Sequence, residues 1–325
     1  MRSSRLSLVL ALLVGALALA APSAQAAQSA DTVSVRLKWF NQAQFAGFYV
    51  AKENGFYQAA GLDVQVQPGG PDFPAIQMVA GGNEQFGVTS ADQILIARGK
   101  GVPIVAVAVL YRKSPFVLFS LKQSGIDAPA KFAGKKIGLK VGGNEELVYR
   151  AVLKKANVPA QGLTEIPVKF DMTPLLSGQI DVWPGYVINE VLTAREKGFE
   201  VNIIWPSDYG YDLYADTLFT TEAMLRDHPG QVRRFVAASL KGWNAAVAHP
   251  DEAAQTTVKQ GAKLNYAHEL AMMKESIALL QPDAQPIGSM QAGRWKSLHD
   301  LLLQAGFLKA PLDLGKAYTT QFLPQ

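Results

Sequence analysis

From Val33 to Trp39 apolar and polar residues alternate, with Val33, Val35, Leu37 and Trp39 on one face and Ser34, Arg36 and Lys38 on the other. That period of two predicts a strand with one solvated face. Residues 45–60 carry a helical pattern closed by Gly61, and Leu62, Val64 and Val66 alternate again before Pro68-Gly69-Gly70. The chain therefore opens with a β-α-β unit. A helix over 74–80, a strand over 85–89 and a helix from Ser90 follow, Ser90 and Gln93 standing at capping-box spacing. The β-branched run 103–110 has the density of a strand covered on both faces.

Residues 116–121 read as a further strand, and after a glycine-punctuated stretch the alternation restarts at 136–140. The pattern predicts a helix over 144–156, strands over 164–170, 180–183 and 201–205, a short helix near 175–178 and a helix over 187–197. Beyond a strand-like segment at 218–220 the character changes to helices over 221–227, 231–248, 251–260, 266–280 and 291–305. Two strand-like crossings near 117–121 and 216–220 bracket the second α/β block. The expected architecture is α/β with two lobes, each a mixed sheet flanked by helices. Lobe 1 would comprise 27–121 plus 216–325 and lobe 2 122–215, the C-terminal helices packing on lobe 1. A cleft between lobes joined by two crossings opens and shuts by hinge motion.

The first 26 residues change the cellular setting. Arg2 and Arg5 precede an apolar run over 6–21, followed by Pro22 and the small-x-small sequence Ala24-Gln25-Ala26, the three-part layout of a secretory signal. The run is shorter than the roughly 20 residues of a membrane span, so removal after Ala26 and a soluble mature chain outside the cytoplasm are expected. Hydrophobic residues make up 49% and charged residues 18% of the chain, a globular balance. The formal net charge of +4 falls to +2 once Arg2 and Arg5 leave with the signal, which is no footprint for nucleic acid. Zero cysteines remove disulfides, thiolate nucleophiles, thiolate-bound zinc and a lipidated-cysteine anchor.

Catalytic chemistry has few actors. No Gly-Lys is followed by Ser or Thr, so there is no Walker loop, and neither a dinucleotide fingerprint nor a G-x-S-x-G elbow is present. His228, His249, His268 and His299 lie too far apart in sequence to share a helical turn around a metal and read as solvated structural residues. Adjacent Glu145 and Glu146 point in different directions on a helix, which argues against paired-carboxylate catalysis. No enzyme activity, cofactor or metal is expected.

Three segments have the chemistry of a binding site. At the end of the first strand, Trp39-Phe40-Asn41-Gln42-Ala43-Gln44-Phe45 offers rings and three amides where ligands of open α/β sheets bind. A flat ring could stack on Trp39 while Asn41, Gln42 or Gln44 read its edge. Gly142-Gly143-Asn144-Glu145, between a strand and a helix, could hold a ligand oxygen at free backbone N–H groups, or could merely cap the helix. Trp183-Pro184-Gly185-Tyr186 with Asn189 and Glu190, and the loop carrying Asp208, Tyr209, Tyr211 and Tyr214, would line the opposite wall. Tyr186 and Tyr209 are expected to touch ligand, with Glu190 or Asp208 holding a ring nitrogen or amine, and Tyr214 to pack at the hinge. Ser90 completes the candidate set.

The run from Val35-Arg36-Leu37-Lys38-Trp39 through Gly47-Phe48-Tyr49-Val50-Ala51-Lys52-Glu53-Asn54-Gly55-Phe56-Tyr57 to Gly61-Leu62-Asp63-Val64 resembles the NMT1/THI5-like periplasmic solute-binding proteins. Gly134-Lys135-Lys136-Ile137-Gly138, residues 183–190 and Asp208-Tyr209-Gly210 look like later landmarks of that family. The resemblance implies a type II periplasmic-binding-protein fold and a monomer that hands a small molecule to the permease and ATPase of an ABC importer. It implies a thiamine-precursor aminopyrimidine, riboflavin or a similar planar heteroaromatic as ligand, with sulfonates, taurine or nitrate taken by related branches. The family also includes a thiamine pyrimidine synthase that consumes its own histidine. By the resemblance that histidine falls on Phe45 and the enzyme's cysteine cluster on 211–215, and both departures speak against synthase activity here.

Overall fold

A computed structural model describes residues 30–324 except 142, 143 and 282, together with all side chains of those residues but that of Asn144. The signal-like segment 1–26 lies outside the described residues, as do Gly143 and the Asn144 side chain. Among the described residues no helix is long and apolar enough to cross a membrane.

The first half runs β1 (Asp31–Arg36), α1 (Ala46–Glu53), α2 (Phe56–Ala59), β2 (Leu62–Gln67), α3 (Ala75–Ala80), β3 (Phe86–Thr89), α4 (Ala91–Gly99) and β4 (Ile104–Val109). The chain then crosses to β5 (Phe116–Leu121), β6 (Lys136–Leu139), α5 (Asn144–Lys155), β7 (Thr164–Pro167), α6 (Thr173–Leu176), β8 (Trp183–Tyr186), α7 (Leu192–Glu196) and β9 (Val201–Ile204). It returns as β10 (Thr217–Thr221) and finishes in α8 (Glu222–Asp227), α9 (Pro229–Ala248), α10 (Pro250–Val258), α11 (Tyr266–Leu280) and α12 (Ala292–Gln304).

Two lobes with one wiring diagram result. The first sheet has the order β2-β1-β3-β10-β4, parallel between β1, β2 and β3, with β10 antiparallel to both β3 and β4. In the second, β6 and β7 pair in parallel, β6 is tied to the residue before β8 by the Ile137–Val182 bridge, and β5 lies antiparallel between β8 and β9. The order β7-β6-β8-β5-β9 repeats that of the first sheet. In each lobe the antiparallel strand next to the edge is the one that has just crossed from the other lobe. The crossings lie side by side: Leu110 N and Tyr111 N donate to Asp216 O, and Ala215 N donates to Tyr111 O.

Several expected boundaries shift for physical reasons. Phe116–Leu121 pairs only with strands of the second sheet, so the first crossing falls at 110–115 and not at 117–121. The helix expected over 45–60 is broken where Gly55 adopts φ 69°, a left-handed conformation that suits glycine. The strand expected over 180–183 sits three residues later, and the helix over 187–197 begins as a wide turn over Val187–Val191. Ser90 is the N-cap residue of α4 but its hydroxyl makes no capping bond. The polar face of β1 is largely covered: Ser34 is half-buried against the Gln85 side chain, which accepts from both its N–H and its hydroxyl. Arg36 is buried there against Glu84 and the carbonyl of Pro68.

The C-terminal helices bury lobe 1. α9 crosses α1 so closely that a Cβ on Gly242 would lie 2.2 Å from the Gly47 carbonyl, and one on Gly47 would enter the Trp243 ring. Phe235 stacks on Phe86 and Tyr57 beneath the sheet. α11 also reaches the second lobe, where His268 meets Glu196 at 2.9 Å. His299 is buried, contrary to the solvated reading, because its Nε2 accepts a bond from Leu312 N.

Candidate functional site

The first strand-to-helix turn is rigid. Leu37 N donates to Gln67 O and Gly69 N to Trp39 O, so the backbone stays aligned with β2 beyond the last regular pair. Those bonds hold Lys38 and Trp39 at the carboxyl end of β1, facing lobe 2.

Lys38 is the hub. Its ammonium donates to the Tyr186 hydroxyl at 3.0 Å, across the cleft, and lies 3.4 Å from Asp216 Oδ1. Asp216 is fully buried beside the crossings, and its Oδ2 accepts from Gln44 Nε2 at 2.8 Å. Gln44 in turn accepts from Gln42 Nε2 at 2.6 Å. Burial alone would lower the Lys38 pKa, but the Tyr186 hydroxyl and the carboxylates of Asp216 and Glu145 outweigh it and hold the pKa above the usual lysine value. Burial pushes the Asp216 carboxyl up, against the pull of Lys38 and Gln44. The Tyr186 hydroxyl is likewise raised by burial.

Lobe 2 contributes the facing wall. Lys140 and Glu190 pair at 2.9 Å, and the other Glu190 oxygen accepts from Tyr186 N at 2.8 Å. Gly185 makes this fold-back possible, since a Cβ there would stand 2.8 Å from that of Glu190. Phe170 meets the Trp39 indole edge-on, with centroids 4.7 Å apart. Glu145, on the first turn of α5, has no hydrogen-bond partner among the described residues.

These groups enclose an inner chamber of about 70 Å³ lined by Lys38, Trp39, Gln42, Gln44, Lys140, Glu145, Phe170, Tyr186, Asn189 and Glu190. Lys38, Trp39, Glu145 and Tyr186 also form one end of an outer groove of about 500 Å³. Together with buried Asp216, three carboxylates face two ammoniums, and each ammonium already has an acidic partner. Such a chamber suits a neutral or cationic ligand that presents hydrogen-bond donors to Glu145, rather than an oxyanion.

Of the residues singled out from sequence, Trp39, Gln42, Gln44, Glu145, Tyr186 and Glu190 meet in the chamber, and Ser90 lines the groove. Asn41 does not: its amide donates to Gln260 O, and its oxygen accepts from the Tyr49 hydroxyl. Asp208 and Tyr209 belong to a short turn, Pro206–Tyr209, outside both cavities. That turn follows β9, on the far side of β5 from β8, so it cannot share the Tyr186 wall. Tyr211 and Tyr214 are spent on scaffold bonds to Ala151 O and Gln291 N. Sequence reasoning missed Lys38, Lys140, Phe170 and Asp216. Lys38 and Lys140 share a signal, since each lies just beyond the end of a corresponding strand, β1 in one lobe and β6 in the other.

The residues 42–253 match the family described as NMT1/THI5 like, and the chain belongs to that family. The riboflavin-binding protein RibY of Chloroflexus aurantiacus is 28% identical over 94% of this chain and 90% of its own length. The formylaminopyrimidine-binding protein of Halalkalibacterium halodurans is 26% identical over 90% and 91%. A protein of Legionella pneumophila named 4-amino-5-hydroxymethyl-2-methylpyrimidine phosphate synthase is 20% identical over 90% and 92%. Among solved structures, the periplasmic aliphatic sulphonate binding protein SsuA of Escherichia coli superposes with a TM-score of 0.70 over 90% of this chain and 99% of that one, at 13% identity. The fold is that of the two-lobed periplasmic binding proteins.

Proposed function

We propose that this protein captures a small planar heteroaromatic compound, such as an aminopyrimidine or a flavin, between its lobes and delivers it without chemical change to an ABC importer. In this reading the chain is exported by residues 1–26 and acts in the periplasm as a monomer. Lobe 1 comprises 30–109 with 216–324, and lobe 2 comprises 110–215.

One observation carries the ligand class: the Trp39 indole borders both cavities together with Tyr186 and Glu145 of the other lobe, and Glu145 has no hydrogen-bond partner among the described residues. An aromatic face beside a carboxylate matches a ring that stacks and donates from its edge. The names of the two relatives with binding functions support the same class. Against a synthase stands Phe45, on which the consumed histidine falls by the family resemblance and which is wholly buried in the core. Against an oxyanion carrier stand the two lysines, both already paired with carboxylates.

Mass spectrometry of the small molecule retained by protein purified from its own cell envelope tests the reading. A flat nitrogen heterocycle is the expected mass, and an alkanesulfonate or an amino acid would overturn it.

A further inference from the structure

Each crossing passes from one lobe's hydrogen bonds to the other's within a residue or two. In the first, Lys113 N donates to Leu279 O at the end of α11, on lobe 1, and Pro115 O accepts from Val187 N of lobe 2. Ser114 alone lies between these anchors, and among the described residues its backbone bonds to neither lobe. In the second, the Tyr211 hydroxyl donates to Ala151 O of lobe 2 at 2.9 Å and Tyr211 N to Pro206 O. The next residue, Asp212, is held from lobe 1. Lobe rotation concentrates in the few residues free to change φ and ψ, here Ser114 in one crossing and the Tyr211–Asp212 junction in the other.

One guanidinium, from the first turn of α12, joins the two crossings. Arg294 Nη2 donates to Arg112 O at 2.7 Å and to Asp212 O at 3.4 Å, and lies 2.9 Å from Asp212 Oδ1. The same group covers the Tyr214 ring, 4.1 Å from its centroid. The crossings depend on it unequally. The first has further ties to lobe 1, since Arg112 Nη1 donates to the Ser289 hydroxyl at 2.6 Å and Lys113 N to Leu279 O. In the second, no other hydrogen bond among the described residues ties 212–213 to lobe 1, and the next ones are at Tyr214, whose hydroxyl accepts from Gln291 N and whose carbonyl accepts from Ala91 N. Without Arg294 the second pivot would retreat to Tyr214, which frees two residues, about 7 Å of extended chain. The Asp212 side chain is 58% exposed, and an ion pair so open to water adds little to folding stability. Its place across both crossings matters more than its strength.

We propose that Arg294 is a brace on the hinge, pinning both crossings to α12 and so confining the swing of lobe 2 to pivots at Ser114 and at the Tyr211–Asp212 junction. The inference concerns movement between the lobes and holds whatever molecule enters the cleft.

Pulsed electron paramagnetic resonance tests it. The chain has no cysteine, so Gln58→Cys on lobe 1 and Lys154→Cys on lobe 2, both at exposed positions, accept a pair of spin labels without background. In that labelled protein Arg294→Met should broaden the interlobe distance distribution by several ångströms and leave the melting temperature close to native. Asp212→Ala, which keeps the bond to the Asp212 carbonyl, should broaden it less, and the two changes together should broaden it no more than Arg294→Met alone. Arg233→Met, which removes an arginine bonded to Gln321 O on the outside of lobe 1, should leave the distribution as it was. A native distribution in Arg294→Met overturns the brace, and so does equal broadening in Arg233→Met. If Arg294→Met melts far below the native protein, Asp212→Ala decides: broadening at native melting upholds the brace, and a native width overturns it.

Discussion

The two lobes share a strand order but not a build. The first strand of lobe 1, β1, is six residues long and flanked on both sides, and the turn after it is tied to β2 by further backbone bonds. Its counterpart β6 has four residues, and β7 beside it is half exposed. Five C-terminal helices add cover to lobe 1 and have no equivalent on lobe 2. The cleft reflects this difference. On the lobe 1 side half-buried Lys38 and buried Asp216, Gln44 and Gln42 form one relay anchored at the crossings. On the lobe 2 side Lys140 and Glu190 form a local pair, and Glu145, with no hydrogen bond among the described residues, acts on Lys38 through its charge alone. A duplicated topology can thus supply a preorganised anchor from one copy and a movable wall from the other.

The sharpest way to break this contrast is Asp216→Ala. It strips the half-buried Lys38 ammonium of its carboxylate and Gln44 of its acceptor. Loss of one partner of a buried ion pair costs about 3–5 kcal/mol, so the denaturation midpoint should fall steeply. If the relay is not an anchor, Asp216→Ala will unfold close to the native midpoint.

A smaller effect is expected from lobe 2. Glu145→Gln keeps the shape and removes the charge, so affinity for a donor-bearing ring should drop by about 1.5–3 kcal/mol, the worth of a hydrogen bond to a charged group, with little change in melting. An unchanged affinity would mean that Glu145 does not face the ligand.

The smallest effect concerns α11, which touches both lobes. Glu269 is buried beside the Trp39 turn and accepts a bond from Ala43 N at 2.6 Å, and burial raises its carboxyl pKa. A carboxyl whose folded pKa exceeds its unfolded one binds its proton more tightly when folded. Its contribution to stability is therefore complete at low pH and declines as pH rises through the window above the ordinary value of 4.5. Glu269→Gln, which keeps an acceptor for Ala43, should lose that decline. Identical pH profiles of stability for the two proteins would refute it.

Much of the fold could be read from sequence because hydrophobic period is a local property: the strand runs at 62–67 and 104–109 and the helices at 222–227 and 266–280 fall where the pattern puts them. The crossing at 110–115 was harder to read. Phe116–Leu121 is buried on both faces and looks alike in either lobe, and only pairing decides which sheet it joins. The site divides along the same line. Trp39 and Tyr186 stand out by residue type at strand ends, whereas Lys38 reads as part of a solvated face, because its partners Asp216 and Tyr186 are distant in sequence. Asp208 and Tyr209 stood out equally by type, but a strand order that sequence does not reveal carries them to the other side of β5.

Titration calorimetry of the native protein and Trp39→Ala, run with riboflavin, formylaminopyrimidine, an alkanesulfonate and nitrate, bears most directly on the claim that an indole at the junction of the lobes grips a planar ring. The account predicts that the native protein binds at least one of the two heterocycles and neither oxyanion, and that Trp39→Ala binds none while melting close to the native temperature. Binding of the sulfonate or nitrate alone, or heterocycle binding that survives in Trp39→Ala, would contradict it.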